Sequence, residues 1–424
     1  MTELNDNKPG LSTEALAKAG YKKTKVGWIP KEWEVLKFED VSKVSQGLQI
    51  AIKDRLKKPV DGAHKYITIQ YLNKGKDAEY VLNPSQSVLC KKDDILMTRT
   101  GNTGIVVSGV EGVFHNNFFK IKFDTKRVDR LYLLYFLNDT KTQNTLLVRA
   151  GSSTIPDLNH KDFYSIPIPL PPLPEQQKIA TILSTWDRAI ALTRKLLQEK
   201  EAQKKGLMQR LLTGKVRVKG FEGAWEKYVL NDLGNSYNGL TGKVKDDFGK
   251  GFPYISYLNV FNNPRLKVPK SDLVKINEGE KQNTAKYGDL FFTVSSETPN
   301  EVGMTSVLLD EVESVYLNSF CFGFRLNSFE ILNPSFAQFF FRSEEMRKKI
   351  SRLAQGSTRF NLSKNQLKKI VFRLPSIKEQ TAIAAILTKA DEEIRLLREK
   401  ERALQAQKKG LMQRLLTGKV RVNL

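Results

Sequence analysis

Residues 202–218 read AQKKGLMQRLLTGKVRV, and residues 406–422 read the same seventeen letters, 204 positions later. Shared helix composition does not reproduce a sequence letter for letter, so the chain carries an internal duplication. The register holds upstream without a gap: Glu175-Gln176 matches Glu379-Gln380, Ile179 matches Ile383, Leu183 matches Leu387, Asp187 matches Asp391 and Ile190 matches Ile394. Each copy is one long segment, 173–217 and 377–421.

The periodicity of these segments predicts helices. In the second copy Ile383, Leu387, Ala390, Ile394, Leu397, Leu404, Leu411 and Leu415 follow steps of three and four, with Glu401 and Lys408 as polar interruptions. In the first copy Ile179, Leu183, Trp186, Ile190, Leu197, Leu207 and Leu211 follow the same rows, interrupted by Thr193, Lys200 and Lys204. A stripe this narrow is a coiled-coil seam. Ser376 and Glu379 have capping-box spacing, Pro174 suits the first helical position, and Gly214 and Gly418 are C-cap candidates. Roughly 38 residues at ~1.5 Å each make a rod of ~57 Å, longer than one turn of B-DNA. A solvent-exposed hairpin that merely joins two domains would show the same pattern.

A chain of 424 residues has room for two or three domains with ample core. No apolar run approaches the ~20 residues of a membrane span, and residues 1–20 are too polar for a signal peptide, so a cytoplasmic location is expected. Cys90 and Cys321 stand alone and His64, His115 and His160 are scattered, which argues against a disulfide framework, a zinc module or metal chemistry. The formal charge of +23 points to a polyanion, of which nucleic acid is the commonest for a chain without membrane features. The two helical segments carry +6 and +5, which leaves +12 outside them. Charge spread over every part suits a protein that straddles its ligand, although a generic solubility surface would carry it too.

The rest of the chain repeats as well. After a loose, Lys-rich arm (1–25) comes a globular domain (26–170) with strand-like runs at Tyr66-Ile67-Thr68-Ile69, Ile95-Leu96-Met97-Thr98, Ile105-Val106-Val107 and 118–123, and a helix over 129–138. The Pro-rich run Pro167-Ile168-Pro169-Leu170-Pro171-Pro172 should end it stiffly. A rod (171–217), a second globular domain (218–373) and a second rod (374–424) follow. Trp33-Glu34 and Gly47-Leu48 answer Trp225-Glu226 and Gly239-Leu240 at an offset of 192; 94–98 answer 289–293 at 195; Ser153, Thr154 and Leu158 answer Ser357, Thr358 and Leu362 at 204. The globular copies differ at most positions while the rods end in identity.

In this combination the chain resembles the specificity subunit of a Type I DNA restriction-modification system. The resemblance rests on the domain-helix-domain-helix order, the Pro…Glu-Gln start of each rod (Pro171 to Gln176, Pro375 to Gln380), the KKGLMQRLLTGKVRV exit, and Asp94-Ile95-Leu96 running into Thr98-Arg99-Thr100-Gly101. It implies an α/β (α+β) fold: two similar target-recognition domains separated by two long antiparallel coiled-coil spacer helices in a pseudo-two-fold repeat. It also implies a non-catalytic DNA-binding chain in which each domain reads one half of an asymmetric split target, while the helices set the gap and dock two methyltransferase subunits. Restriction subunits would join through these. S-adenosylmethionine is then expected on the methyltransferase, ATP and Mg on the restriction subunit, and no cofactor on this chain. The Thr-Arg-Thr-Gly element becomes Thr293-Val294-Ser295-Ser296 in the second domain, so the Arg is missing there.

The residues themselves show no P-loop, paired Gly-x-Gly-x-x-Gly or Cys/His array. Gly101-Asn102-Thr103-Gly104 reads as a turn between strands, Asn333-Pro334-Ser335-Phe336 as a turn leading into a helix, and Asp94 with Asp124-Thr125-Lys126 as charged strand ends rather than nuclease ligands. Base readout is expected in loops where polar and cationic side chains flank turn formers. In the first domain these are Arg99, Asn102, Thr103, Ser152, Ser153 and Thr154. In the second they are Ser295, Ser296, Thr298, Ser357, Thr358 and Arg359. A nucleic-acid modification enzyme with an unrecognised site, or a basic structural scaffold, are the competing readings.

Overall fold

The computed structural model describes residues 17, 20–74, 78–151 and 156–423. The chain divides into two compact units: Met1–Thr193 with Lys400–Leu424, and Arg194–Glu399. The boundaries fall inside the two long helices, Leu173–Leu211 and Ile377–Leu415, each of 39 residues. A unit is therefore one globular domain plus the start of one helix and the end of the other. Among the described residues no helix is long and apolar enough to cross a membrane.

The globular parts are built alike. In the first, Ser42–Gln46, Phe118–Phe123, Ile95–Thr98 and Val106–Val107 form an antiparallel sheet in that order; in the second, Gly234–Asn238, Cys321–Leu326, Leu290–Thr293 and Thr305–Val307 do the same. A second, mixed sheet in each contains one parallel pair, Ala63–Ile67 with Gly112–Phe114 and Phe248–Ile255 with Tyr316–Leu317. The α+β expectation holds, and its sheets are mostly antiparallel. The expected helix runs Arg130–Asn138, with the Asp129 carboxylate capping Tyr132 N–H at 2.9 Å. Asn333 caps Pro334–Phe340 in the same way, and Phe336, Phe339 and Phe340 enter the core.

Three local expectations are corrected. Tyr21–Thr24, the last residues of the supposed loose arm, pair with Gly27–Pro30, and the Tyr21 hydroxyl donates to the Gly418 carbonyl at 2.9 Å. The strand at Tyr66 and Ile67 stops there, because Ile69–Lys74 is helical. The proline run does not act as a rigid terminator: Pro167–Leu170 pairs with Glu34–Lys37. Alternation permits this, since Pro167 and Pro169 turn the side that lacks an N–H away from the ladder, and the free Pro169 carbonyl accepts from the Tyr132 hydroxyl at 2.7 Å. The helices stop at Leu211 and Leu415, where the expected C-cap glycines Gly214 and Gly418 take φ near +68° and +67° and reverse the chain.

The helices pack antiparallel within each unit. In the first unit Ile179 and Leu183, near the start of one helix, share a core with Leu415 and Leu416 at the end of the other. In the second, Ile383 and Leu387 share one with Leu211 and Leu212. Three of the five polar interruptions of the seam become ion pairs between helices: Lys200 with Glu393 at 2.7 Å, Lys204 with Asp391, and Lys408 with Asp187 at 2.5 Å.

The recurring Glu-Gln dipeptide has a physical explanation. Glu175, 1% exposed, accepts from Arg421 at 2.8 and 3.0 Å and from the Trp33 indole at 3.0 Å. Glu379, equally buried, accepts from Arg217 at 2.7 and 2.6 Å. Its carboxylate therefore leaves the expected capping box, of which only the Ser376 half forms, at 3.4 Å. Gln176 accepts from Asp129 N–H and donates to the Arg127 and Pro171 carbonyls; Gln380 accepts from Asn333 N–H and donates to those of Ile331 and Pro375. Each Glu thus ties in the exit of the other helix, and each Gln ties the helix start to its own domain.

Candidate nucleic-acid interface

The loops at 99–103 and 295–298 continue from the strands Ile95–Thr98 and Leu290–Thr293, and the fold brings each against a later segment of its own unit. In the first, Thr100 forms a bridge with Asp157, Leu158 N–H donates to the Arg99 carbonyl at 2.8 Å, and Arg99 N–H donates to Asn117 at 2.7 Å. In the second, Ser295 and Ser296 pair with Asn361 and Phe360, Leu362 N–H donates to the Val294 carbonyl at 2.7 Å, and Val294 N–H donates to Phe320 at 2.9 Å. The backbone frame is the same although Arg99 is answered by Val294. Alongside it, Gly47 and Gly239 let the chain pass so close that an added Cβ would lie 2.1 Å from the Phe114 carbonyl oxygen and 2.2 Å from that of Asn318. This close approach accounts for the repeated Gly-Leu pair.

The individual side chains divide into presented and engaged. The Arg99 guanidinium pairs with Asp157 at 2.8 Å and lies 5.4 Å from the centre of the Phe119 ring, while its buried Nε has no hydrogen-bond partner among the described residues. Asn102 is exposed. Thr103 is buried, and its hydroxyl is taken up by the Arg99 and Pro156 carbonyls, both at 2.9 Å. Ser152, Ser153 and Thr154 lie outside the described residues. Ser295 and Ser296 are buried, with the Ser296 hydroxyl directed at Glu301 at 3.3 Å. Thr298 is exposed and donates to Glu301 at 2.8 Å. Ser357, Thr358 and Arg359 are exposed in the turn between Ala354–Gln355 and Phe360–Leu362.

Sequence reasoning missed a third segment that completes each surface. In the first domain it is His115, Asn116 and Asn117: Asn117 N–H donates to His115 Nδ1 at 3.0 Å, Gln46 donates to the Asn116 carbonyl at 3.0 Å, and burial together with Arg55 holds the His115 pKa below its ordinary value. In the second, Phe320 N–H donates to Asn318 Oδ1 at 2.8 Å, and the Phe320 ring, 55% exposed, has the Arg359 guanidinium 6.0 Å from its centre. Lys364 sits beside Asn238 and 5.6 Å from the centre of the Phe322 ring, its pKa lowered by burial and then by Lys368. The Gly-Leu repeats flag the neighbouring segment, but no spacing pairs 115–117 with 318–320.

An exposed aromatic ring, cations and amides on one surface match what base edges and phosphates require. The nuclease-like carboxylates are used locally: Asp94 accepts from Lys91 N–H at 2.9 Å and Asp124 from Lys126 N–H at 3.0 Å.

Comparison with known proteins adds to this geometry. A family model described as the Type I restriction modification DNA specificity domain matches the chain twice, over residues 30–202 and 222–406. The Type I restriction enzyme MjaVIII specificity subunit of Methanocaldococcus jannaschii is 28% identical over 410 residues, 93% of this chain and 94% of that protein. The putative type I restriction enzyme MjaX specificity subunit of the same organism is 27% identical over 439 residues, 95% of this chain and 97% of that protein. The S subunit of a Type I restriction-modification system from M. genitalium superposes with a TM-score of 0.54 at 13% identity, over 92% of this chain and 96% of that one. A chain from a structure on assembly and conformational transition of the type I R-M system gives 0.59 at 17% identity, over 92% and 99%. At these identities the solved structures show a common fold.

Proposed function

Because this chain belongs to the family of Type I restriction modification DNA specificity domains, we propose that each of its globular domains reads one half of an asymmetric, split DNA target. The observation that carries this reading is the paired construction of the two surfaces, one backbone frame bearing different side chains in each domain. Two unlike readers in one chain select two unlike half-sites, much as dimeric repressors match half-sites of fixed separation.

Within this reading Arg99 exchanges its Asp157 partner for a base edge or phosphate, and Asn102, Ser152, Ser153 and Thr154 complete the first surface. Thr298, Ser357, Thr358 and Arg359 act on the second. Thr103, Ser295 and Ser296 shape the loops they sit in. The long helices fix the gap, and the exposed faces of 202–218 and 406–422 each dock one methyltransferase subunit. The chain contributes no catalytic step of its own. S-adenosylmethionine belongs to the docked methyltransferase, and ATP with Mg to a restriction subunit bound through it; the whole assembly works in the cytoplasm. Methylation mapping of DNA from cells carrying the complete system tests the reading. The expected result is one split motif with unlike halves and a constant gap, and a continuous or palindromic motif overturns it.

A further inference from the structure

Behind the candidate loop of the second domain lie two guanidiniums whose hydrogen-bond partners, among the described residues, are all backbone carbonyls. Arg347, on the helix Glu344–Ser351, donates to Gly303 at 2.7 Å, to Asn300 at 2.9 Å and to Val302. Arg342 donates to Thr305, and to Val260 at 2.7 Å, Phe261 at 2.9 Å and Asn263 at 3.1 Å. Burial pushes both pKa values down to about 10, that of Arg342 with help from Arg347, and both stay charged at neutral pH. A cation withdrawn from water is tolerated only where fixed dipoles replace the hydration. The carbonyls of Asn300, Val302, Gly303 and Thr305 are therefore held around the two guanidiniums.

The first domain meets the same need differently. Gln143, 204 positions before Arg347, donates to the Gly104 carbonyl at 2.8 Å and to that of Leu137 at 2.5 Å. Gly104 and Gly303 occupy equivalent places, because Ile105 N–H closes the first loop on the Thr98 hydroxyl and Met304 N–H closes the second on that of Thr293, both at 2.9 Å. Between those closures lie 99–104 in one domain and 294–303 in the other, a difference of four residues. An amide offers two N–H donors and holds one loop carbonyl. The guanidinium fork offers five and holds three.

We propose that Arg347 is a positioning residue for base selection by the second domain, holding 297–303 so that the exposed Thr298 and Asn300 face the DNA, and that Gln143 does the same for the shorter loop of the first. This inference rests on the reading that these loops meet DNA, and it adds that the residue at this helix position is matched to loop length.

The test uses the full chain and a pool of random duplexes, from which bound sequences are recovered and the base preference of each half-site is recorded. Arg347→Met should lower discrimination in one half roughly tenfold, the size of a typical single mismatch penalty, and leave the other half and the salt dependence unchanged. Gln143→Met should do the same to the opposite half. Arg347→Lys, which keeps charge and donors without the fork, should fall between wild type and Arg347→Met. If Arg347→Met does not fold, as judged by its thermal transition, Arg347→Lys and Gln143→Met carry the test. Folded variants with both preferences intact, or with equal losses in both halves, overturn the inference. A wild-type chain that selects no split motif would instead defeat the proposed function.

Discussion

Glu175 accepts from Arg421 and Trp33 in the first unit, and Glu379 accepts from Arg217 in the second, so the sockets at the helix starts are nearly the same. The loops 99–104 and 294–303 share a backbone frame but neither length nor side chains. The difference follows from what each region must satisfy. A socket closes a buried carboxylate against a helix exit, and few side chains can do that. A loop on a sheet end needs only its backbone hydrogen bonds met, which frees its side chains to differ.

The largest expected effect comes from breaking a socket. Glu175→Ala and Glu379→Ala each remove the buried acceptor of a partly exposed Arg, and thermal or denaturant unfolding should show a loss of about 1–3 kcal/mol. Glu175→Ala should cost the more, by ~1 kcal/mol, because the Trp33 indole also loses its acceptor whereas the equivalent Trp225 Nε1 has none among the described residues. Equal losses would show that the indole contributes nothing.

A smaller asymmetry lies in the seam. Asp187 accepts from Lys408 and, at 2.7 Å, from the Tyr135 hydroxyl, whose pKa is raised by burial and then by Asp187. Asp391 receives Lys204 beside Phe339, which has no hydroxyl to give. Asp187→Asn should therefore destabilise by about 1 kcal/mol more than Asp391→Asn. Matched denaturation curves for the two variants measure the gap, and a larger loss in Asp391→Asn contradicts the assignment.

The least effect is on pH response. His115 has a folded pKa below its ordinary value, so the unfolded chain takes up a proton first as pH falls. Stability from its neutral form is complete above ~6.5 and is lost as pH drops through the lower folded value. Protonating Nδ1 would break the bond from Asn117 N–H; the corresponding turn of the second domain uses Asn318 and does not titrate. The protection of the Asn117 amide, its exchange relative to the intrinsic rate, should therefore fall between pH 7 and 5 while that of Phe320 stays constant. His115→Asn should remove the difference.

Much of this was legible in the letters. The seventeen-residue identity and the seam periodicity located both helices, and the offsets of 192, 195 and 204 paired the domains and flagged two of the three segments on each surface. Asn333 and Asp129 read correctly as helix starts because a cap is a local bond within three residues. The proline run misled because composition favours an isolated stiff segment, whereas the partner strand Glu34–Lys37 lies more than a hundred residues away.

Sequence alone determined the duplication, the helices, the order of domains and the family, because repeat register and helical period are local properties that survive without coordinates. Only the tertiary structure decided that Glu175 and Glu379 hold distant arginines, that Thr103, Ser295 and Ser296 are buried while Arg359 is presented, and that 115–117 and 318–320 belong to the same surfaces. Burial and partnership depend on which strands meet across long stretches of chain. Ser, Thr and Arg have the same chemistry whether they face solvent or a neighbouring carbonyl, and packing alone sets which of these each one does.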